Sequence, residues 1–349
     1  MNEMQDSISA KKKVVFLPYK ASMWDSLESV WKQAAANSAI DAKVIPIPYF
    51  DKNPDGSFRE MHYEGELFPD YVPIIPYQLY DFEKNHPDEI YIHNPYDECN
   101  TVTSVLPAFY SKNLKQYTDK LIYIPYFVLG EVDFNNRKNL EEMAHFAQIP
   151  AVIFADQVIV QSENMRKLYI ESMVMMGGEK IRNIFEKKIL VSGSPKVEKI
   201  RSMTLEDIRI PDTWNKYLYR TDGSKKKVVL YNTSISAFLQ YSEQMLDKME
   251  RVFERFQSSQ KDEVLLWRPH PLLKETIRSM RPQLLERYET VVEKYKQDDF
   301  GIYDDTADVD RAILLADVYY GDLSSLTVLC EAVQKPVIIQ AIGHHEDLP

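Results

Sequence analysis

The chain has 349 residues, 44% of them hydrophobic and 27% charged, and a formal net charge of −11. That length suits two domains with separate cores, and the balance is that of a globular protein. The acidic surplus argues against a nucleic-acid partner, because gripping a phosphate backbone needs a basic stripe and none is visible.

Cys99 and Cys330 are the only cysteines. They are too few for a disulfide framework or a zinc cluster and fit a reduced, cytoplasmic compartment. The N-terminal MNEMQDSISAKKK has no apolar run after its basic residues and does not read as a secretory signal. No run of about 18 apolar residues occurs, so no membrane-spanning segment is expected. Peripheral contact with the inner face of a membrane is compatible with the sequence, although the acidic balance lends it no support.

The first strand is predicted at Lys13–Leu17 (KVVFL), followed by a helical pattern from Trp24 to Asn37 and a second strand over Asp41–Pro48. Such a β–α–β start announces a parallel sheet. Residues 49–83, rich in Pro, Tyr and Asp, read as a long excursion. Strands resume at Glu89–Ile92, Lys120–Ile124, Ala151–Ile153 with Gln157–Val160, and Lys188–Val191, with helical stretches at Leu140–Ala147 and Glu163–Met175. They complete a first, Rossmann-like domain over residues 1–203. Residues 204–226 are polar, include Pro211 and Gly223, and read as a linker.

A second Rossmann-like domain follows at 227–349. Its strands are expected at Lys227–Tyr231, Glu263–Trp267, Gly301–Tyr303, Val318–Tyr320 and Val337–Gln340. Helices are expected at Ala237–Phe256, Leu273–Tyr295, Val309–Leu315 and Ser324–Val333. The fold class is therefore α/β, two Rossmann-like domains of doubly wound parallel sheet, with a shared ligand cleft expected between them at the carboxyl ends of the strands. The sequence stops soon after its last strand without an evident closing helix, which reads as a truncated C-terminus.

Three segments at strand ends carry the chemistry. Gly321-Asp322-Leu323-Ser324-Ser325 follows an apolar strand and opens a helix, so Asp322, Ser324 and Ser325 are candidates for binding phosphate at the helix start. A simple N-cap is the plainer alternative. Trp267-Arg268-Pro269-His270-Pro271 ends another strand, expected to be adjacent to the first. Arg268 offers a planar fork of donors for phosphate oxygens, and His270 can donate or shuttle a proton. A surface arginine beside a structural histidine is the alternative. Thr233 and Ser234, in Tyr231-Asn232-Thr233-Ser234, can touch phosphate or cap the next helix.

In the first domain, Gly193 and Ser194 form a turn that either lines the cleft or merely leads the chain onward. His93 follows the strand EIYI and is a candidate general base, with Asn94, Tyr96 and Asp97 as neighbours that can orient it; a structural histidine is the alternative. His145 is a second candidate. The acidic run Asp304, Asp305, Asp308 and Asp310 lacks the spacing of a calcium loop and reads better as a helix start, so no metal site is expected. No dinucleotide, P-loop or hydrolase-elbow motif occurs, and no cofactor is expected.

In order, NTS, WRPHP, ADVYYGDLSS and KPVII, with the earlier ADQVIVQSENMRKLY and ILVSGSPKVEKI, resemble the CDP-glycerol glycerophosphotransferase family of teichoic-acid primases and polymerases. The resemblance covers roughly Ala151 to Gln340. It implies the GT-B fold and transfer of glycerol phosphate from CDP-glycerol to a hydroxyl of an envelope polymer or lipid-linked acceptor, with CMP leaving. It further implies that Arg268 and His270 bind the donor diphosphate, and that Ser324, Ser325 and Thr233 or Ser234 hold phosphate. The sequence departs from the family in two places. The family's Trp-His-Gly turn corresponds here to IYIPYFVLG, without histidine, and Glu198 stands where the family has aspartate. Two other readings stay open: an inverting glycosyltransferase using a nucleotide sugar, and a non-catalytic nucleotide-binding module.

Overall fold

The computed structural model describes residues 11–306, 308–340 and 342. The N-terminal segment read above as lacking a signal lies, except for its last residues, outside the described residues. The chain divides into two compact units. The first comprises the chain up to Asp51, with Phe58–Phe127 and Glu131–Pro195; the second comprises Lys52–Ser57, Val128–Gly130 and the chain from Lys196 onward.

The first unit is built on β1 (Lys12–Leu17), β2 (Ile40–Val44), β5 (Glu89–Ile92), β7 (Lys120–Tyr123), β8 (Gln157–Val160) and β9 (Ile189–Val191). All pair in parallel, in the order β2-β1-β5-β7-β8-β9. The inner strands are short apolar runs because both faces of a parallel sheet are covered. A small second sheet joins β3 (Tyr49–Lys52), β4 (Phe58–His62) and β6 (Thr103–Val105) in the order β4-β3-β6. Its strands β3 and β4 lie in the long excursion read at residues 49–83. Ala151–Ile153, expected to be strand, is helical within Pro150–Phe154, where Pro150 sits in the first turn and needs no N–H partner.

The second unit's sheet runs β12 (Ile302–Tyr303), β11 (Glu263–Pro269), β10 (Lys227–Thr233), β13 (Val318–Gly321) and β14 (Val337–Ile339), again all parallel. Alternation along β10 sorts the core: Val229 and Tyr231 pack with Phe238, Met245 and Phe253, whereas Val228 and Leu230 pack with Ile313, Leu315 and Leu329. The WRPHP and GDLSS strands are thus not adjacent. β10 lies between them, which inserts the Thr233–Ser234 loop into the middle of the constellation.

Residues 204–226 belong to this second core rather than to a free linker. Trp214 and Leu218 are buried in it, and the Arg311 guanidinium lies 4.4 Å over the Trp214 ring. The helix expected over Ala237–Phe256 is two helices, Ile235–Tyr241 and Glu243–Ser258, separated at Ser242 with φ 50°. That over Leu273–Tyr295 ends at Met280 and restarts beyond Pro282 at Leu285.

In each sheet the strand order reverses at one point, between β1 and β5 in the first unit and between β10 and β13 in the second. Connections leave such a point on opposite faces, and open α/β sheets bind ligands there. No helix among the described residues is long and apolar enough to cross a membrane.

Candidate functional site

At the second unit's reversal the loops after β10 and β13 are tied to one another. The Ser234 amide donates to Oδ2 of Asp322 at 2.7 Å, and the Asp322 amide donates to the Asn232 carbonyl at 3.2 Å. The Ser234 hydroxyl caps the helix Ile235–Tyr241 by accepting from Ala237 N. Ser324 caps Ser325–Ala332 by accepting from Leu326 N, and Ser325 is that helix's first residue. Tyr319 Oη donates to the Asp322 carbonyl and lies 3.3 Å from Ser324 Oγ. Thr233 is fully buried, its Oγ1 accepting from Trp267 Nε1 at 3.3 Å. Thr233 therefore anchors the loop from beneath, while Ser234, Asp322, Ser324 and Ser325 form its rim.

The approach of the two loops depends on Gly321. Its φ of +152° suits glycine, and a Cβ there would lie against the Asn232 backbone, 2.9 Å from its nitrogen.

Sequence reasoning missed a central partner. Lys248, from the helix Glu243–Ser258, donates to Oδ1 of Asp322 at 2.7 Å and to the Gln340 carbonyl at 2.8 Å. The signal was present: Lys248 stands in the apolar stripe Met245, Met249, Val252, where an unpaired charge would be costly.

Arg268 and His270 part company. Arg268 is buried, its Nη1 2.6 Å from Oδ2 of Asp304 and its Nη2 donating to the Thr306 carbonyl at 2.7 Å. Arg311 joins the same network through Thr306 Oγ1 at 2.7 Å. The guanidinium that sequence aims at a donor phosphate is instead held in a buried ion pair. Asp308 caps the helix Val309–Leu315, as expected for that part of the acidic run.

His270 is half-buried at the turn after β11. Its amide donates to the Thr233 carbonyl at 3.0 Å, binding the turn to β10. Its Nδ1 accepts from the Leu272 amide at 3.1 Å, which assigns the proton of the neutral ring to Nε2. Nε2–H is a donor of the kind a phosphate oxygen accepts.

In the first unit, His93 follows β5 at the carboxyl end of that strand, as expected, and both of its ring nitrogens are engaged within the unit. The ring is fully buried, Nε2 accepts the Tyr19 amide at 3.1 Å, and Nδ1 lies 2.9 Å from Ser26 Oγ. Ser26 donates onward to the Met23 carbonyl at 2.7 Å, so Nδ1 carries the proton and the relay ends on backbone. Tyr19 and Tyr126 stand edge-on to the ring. Burial pushes both phenols far above their ordinary range, so both stay neutral. Asn94 and Asp97 bond each other at 2.9 Å, and Asp97 also accepts from Ser111 N at 2.8 Å. Burial pushes Asp97 up to about 7 against the opposing bonds from Ser111 and Asn94.

Beside this group lie polar residues that sequence reasoning did not select. Lys20 Nζ donates to Tyr49 Oη at 2.9 Å, Tyr49 donates to Glu64 Oε1 at 2.8 Å, and Glu64 Oε2 accepts the Ala21 amide at 2.8 Å. His145 is on an exposed turn and bonds the Glu142 carbonyl. Gly193, with φ +82°, and Ser194 lie just before Pro195, where the chain leaves the first unit.

No family model and no curated protein sequence matches the chain. Solved structures do match in three dimensions. The S. aureus MnaA–UDP structure aligns over 94% of this chain and 78% of its own, with 12% identity and TM-score 0.53. The Neisseria meningitidis UDP-GlcNAc 2-epimerase bound to UDP-GlcNAc aligns over 94% and 82%, with 9% identity and TM-score 0.53.

The fold is GT-B.

Identities this low carry the fold and nothing finer. Two doubly wound units, each with one order reversal, are what that fold supplies. The Ser234, Asp322, Ser324 and His270 group belongs to the reversal of the second.

Proposed function

We propose that the chain is a nucleotide-dependent transferase whose second unit holds the diphosphate of its donor at the β10/β13 reversal. One observation carries this reading. The loops after the neighbouring parallel strands β11, β10 and β13 carry His270, the Ser234 cap and the helix start at Ser324–Ser325, and backbone and side-chain bonds tie the first loop to the second through Thr233 and the second to the third through Asp322. Backbone N–H groups at a helix start, with an imidazole donor beside them, suit a diphosphate. Thr233 and Arg268 support that rim from below, and Gly193–Ser194 is assigned to the chain's passage between units.

The donor we propose is CDP-glycerol, on the resemblance of NTS, RPHP and GDLSS, all of which fall at strand ends of this sheet. An acceptor hydroxyl, on an envelope polymer or its lipid-linked precursor, attacks the glycerol-bearing phosphorus in line, the P–O bond to CMP breaks, and CMP leaves. Such a transfer asks for positioning and charge stabilisation more than covalent help. With both nitrogens of His93 bonded inside the unit, the residue that takes the acceptor proton is left unassigned.

A nucleotide-sugar donor is the second reading, favoured by the UDP and UDP-GlcNAc held by the two similar structures. Calorimetry with CDP-glycerol, CDP, UDP and UDP-GlcNAc, followed by turnover of whichever donor binds, separates the readings. Preference for CDP-glycerol with release of CMP supports the first, and preference for UDP-GlcNAc replaces it with the second. Binding without turnover leaves a nucleotide-binding module.

A further inference from the structure

The small sheet β4-β3-β6 carries a cluster that plays no part in the donor site. Asp51 on β3 and Glu60 and His62 on β4 bring one ligand atom each into a group in which all lie within 4.8 Å of one another. Residues two apart on a strand share a face, so the Glu60-x-His62 spacing presents a carboxylate and an imidazole side by side. The hairpin turn Asn53–Ser57 brings Asp51 across to meet them. The surroundings fix the ligands. Asp51 is only 7% exposed, and the His62 ring stacks on Tyr49 with centroids 5.0 Å apart.

We propose that Asp51, Glu60 and His62 form a binding site for a divalent transition-metal ion, with zinc the best match. Two carboxylates and one imidazole are a borderline donor set, and three protein ligands on one hairpin face leave further coordination positions for water or a small anion. Two groups now stand where the ion would be. His62 Nε2 lies 3.0 Å from Oδ2 of Asp51, and because a carboxylate only accepts, that nitrogen carries a proton. Arg59 Nη2 donates to the same oxygen at 2.9 Å. Binding therefore moves the ring proton of His62 from Nε2 to Nδ1, which frees Nε2 for the metal, and turns the Arg59 guanidinium, about one third exposed, away from Asp51. The Arg59 guanidinium already bonded to Asp51 shows that this carboxylate takes a cationic partner. The site is independent of the donor chemistry proposed above.

The test uses the full chain freed of metal by a chelator. Calorimetric titration with zinc chloride is expected to show one equivalent bound, and cobalt chloride to give a visible absorption band from nitrogen–oxygen coordination. His62→Ala and Glu60→Gln should each weaken zinc binding by about tenfold or more. Arg59→Gln, which removes the competing cation, should tighten it. Glu60 is exposed, so its variant keeps the test valid if Asp51→Asn fails to fold. Absence of stoichiometric binding, or binding unchanged in both His62→Ala and Glu60→Gln, overturns the proposal and leaves Arg59 as the cluster's resident cation.

Discussion

Lys248 Nζ lies 2.7 Å from Oδ1 of Asp322, and neither side chain is more than 4% exposed. One charge comes from the middle of a long helix and the other from the loop that opens the helix Ser325–Ala332. Asp322 in turn takes the Ser234 amide, so this pair fixes the spacing of both loops at the β10/β13 reversal.

Removing Lys248 leaves a buried carboxylate without its counter-charge. Lys248→Met is expected to lower stability by about 3–5 kcal/mol, and Lys248→Met combined with Asp322→Asn to recover a substantial part of that loss. Denaturant unfolding of the two single variants and the double variant measures the coupling. Strictly additive losses would show that the pair does not act as a unit.

Arg268 and His270 sit two residues apart and should fail in different ways. Arg268→Ala removes the nearer of two guanidinium partners of the fully buried Asp304, which keeps Arg311 at 3.4 Å and the Thr306 hydroxyl at 2.7 Å, and should cost about 1.5–3 kcal/mol of stability. His270→Ala should leave unfolding nearly unchanged and cut donor kcat/KM by about ten- to a hundredfold, the worth of one charged hydrogen bond. Thermal melts beside donor kinetics separate the two. Loss of activity without loss of stability in Arg268→Ala would place its guanidinium on the donor after all.

Asp97 gives the molecule a pH dependence of definite sign. Its folded pKa, about 7, lies above the ordinary carboxyl value. A raised carboxyl pKa contributes stability that is complete below the unfolded value near 4 and is lost as pH rises through 7. Asp97→Asn stays neutral throughout, and asparagine tolerates the backbone there, φ 45°. The variant should therefore gain on the parent as pH is raised from 5 to 8. Melting temperatures of parent and variant that run parallel across that range would show that folding does not raise the Asp97 pKa.

Much of the architecture was legible because parallel strands are buried on both faces and show as runs such as KVVFL and KVVLY. The hairpin of β3 and β4 was not, since FREMH is nearly all exposed and carries no apolar alternation. The breaks at Ser242 and Pro282 were hidden inside continuous helical periodicity, although Pro282 was a breaker in plain view. At the sites, position was easier to read than environment. His93, Arg268 and His270 all fall at strand ends as expected. What bonds them comes from elsewhere in the chain: Tyr19 and Ser26 for His93, Asp304 and Thr306 for Arg268. A buried partner many residues away leaves no mark in the local pattern. Lys248 is the exception, since a lysine within an apolar stripe announces that it has one.

The missing side chain at Gly321 has a consequence for attempts to redirect donor choice. With the Asn232 backbone pressed against that α-carbon, main chain sets how closely the two loops can approach, and the Lys248–Asp322 pair holds them there. Exchanging Ser324 or Ser325 can alter the chemistry of the rim but leaves both of those ties in place. Under the donor site proposed here, a bulkier activated donor has to be accommodated at the turn after β11, where the His270 side chain is only half-buried.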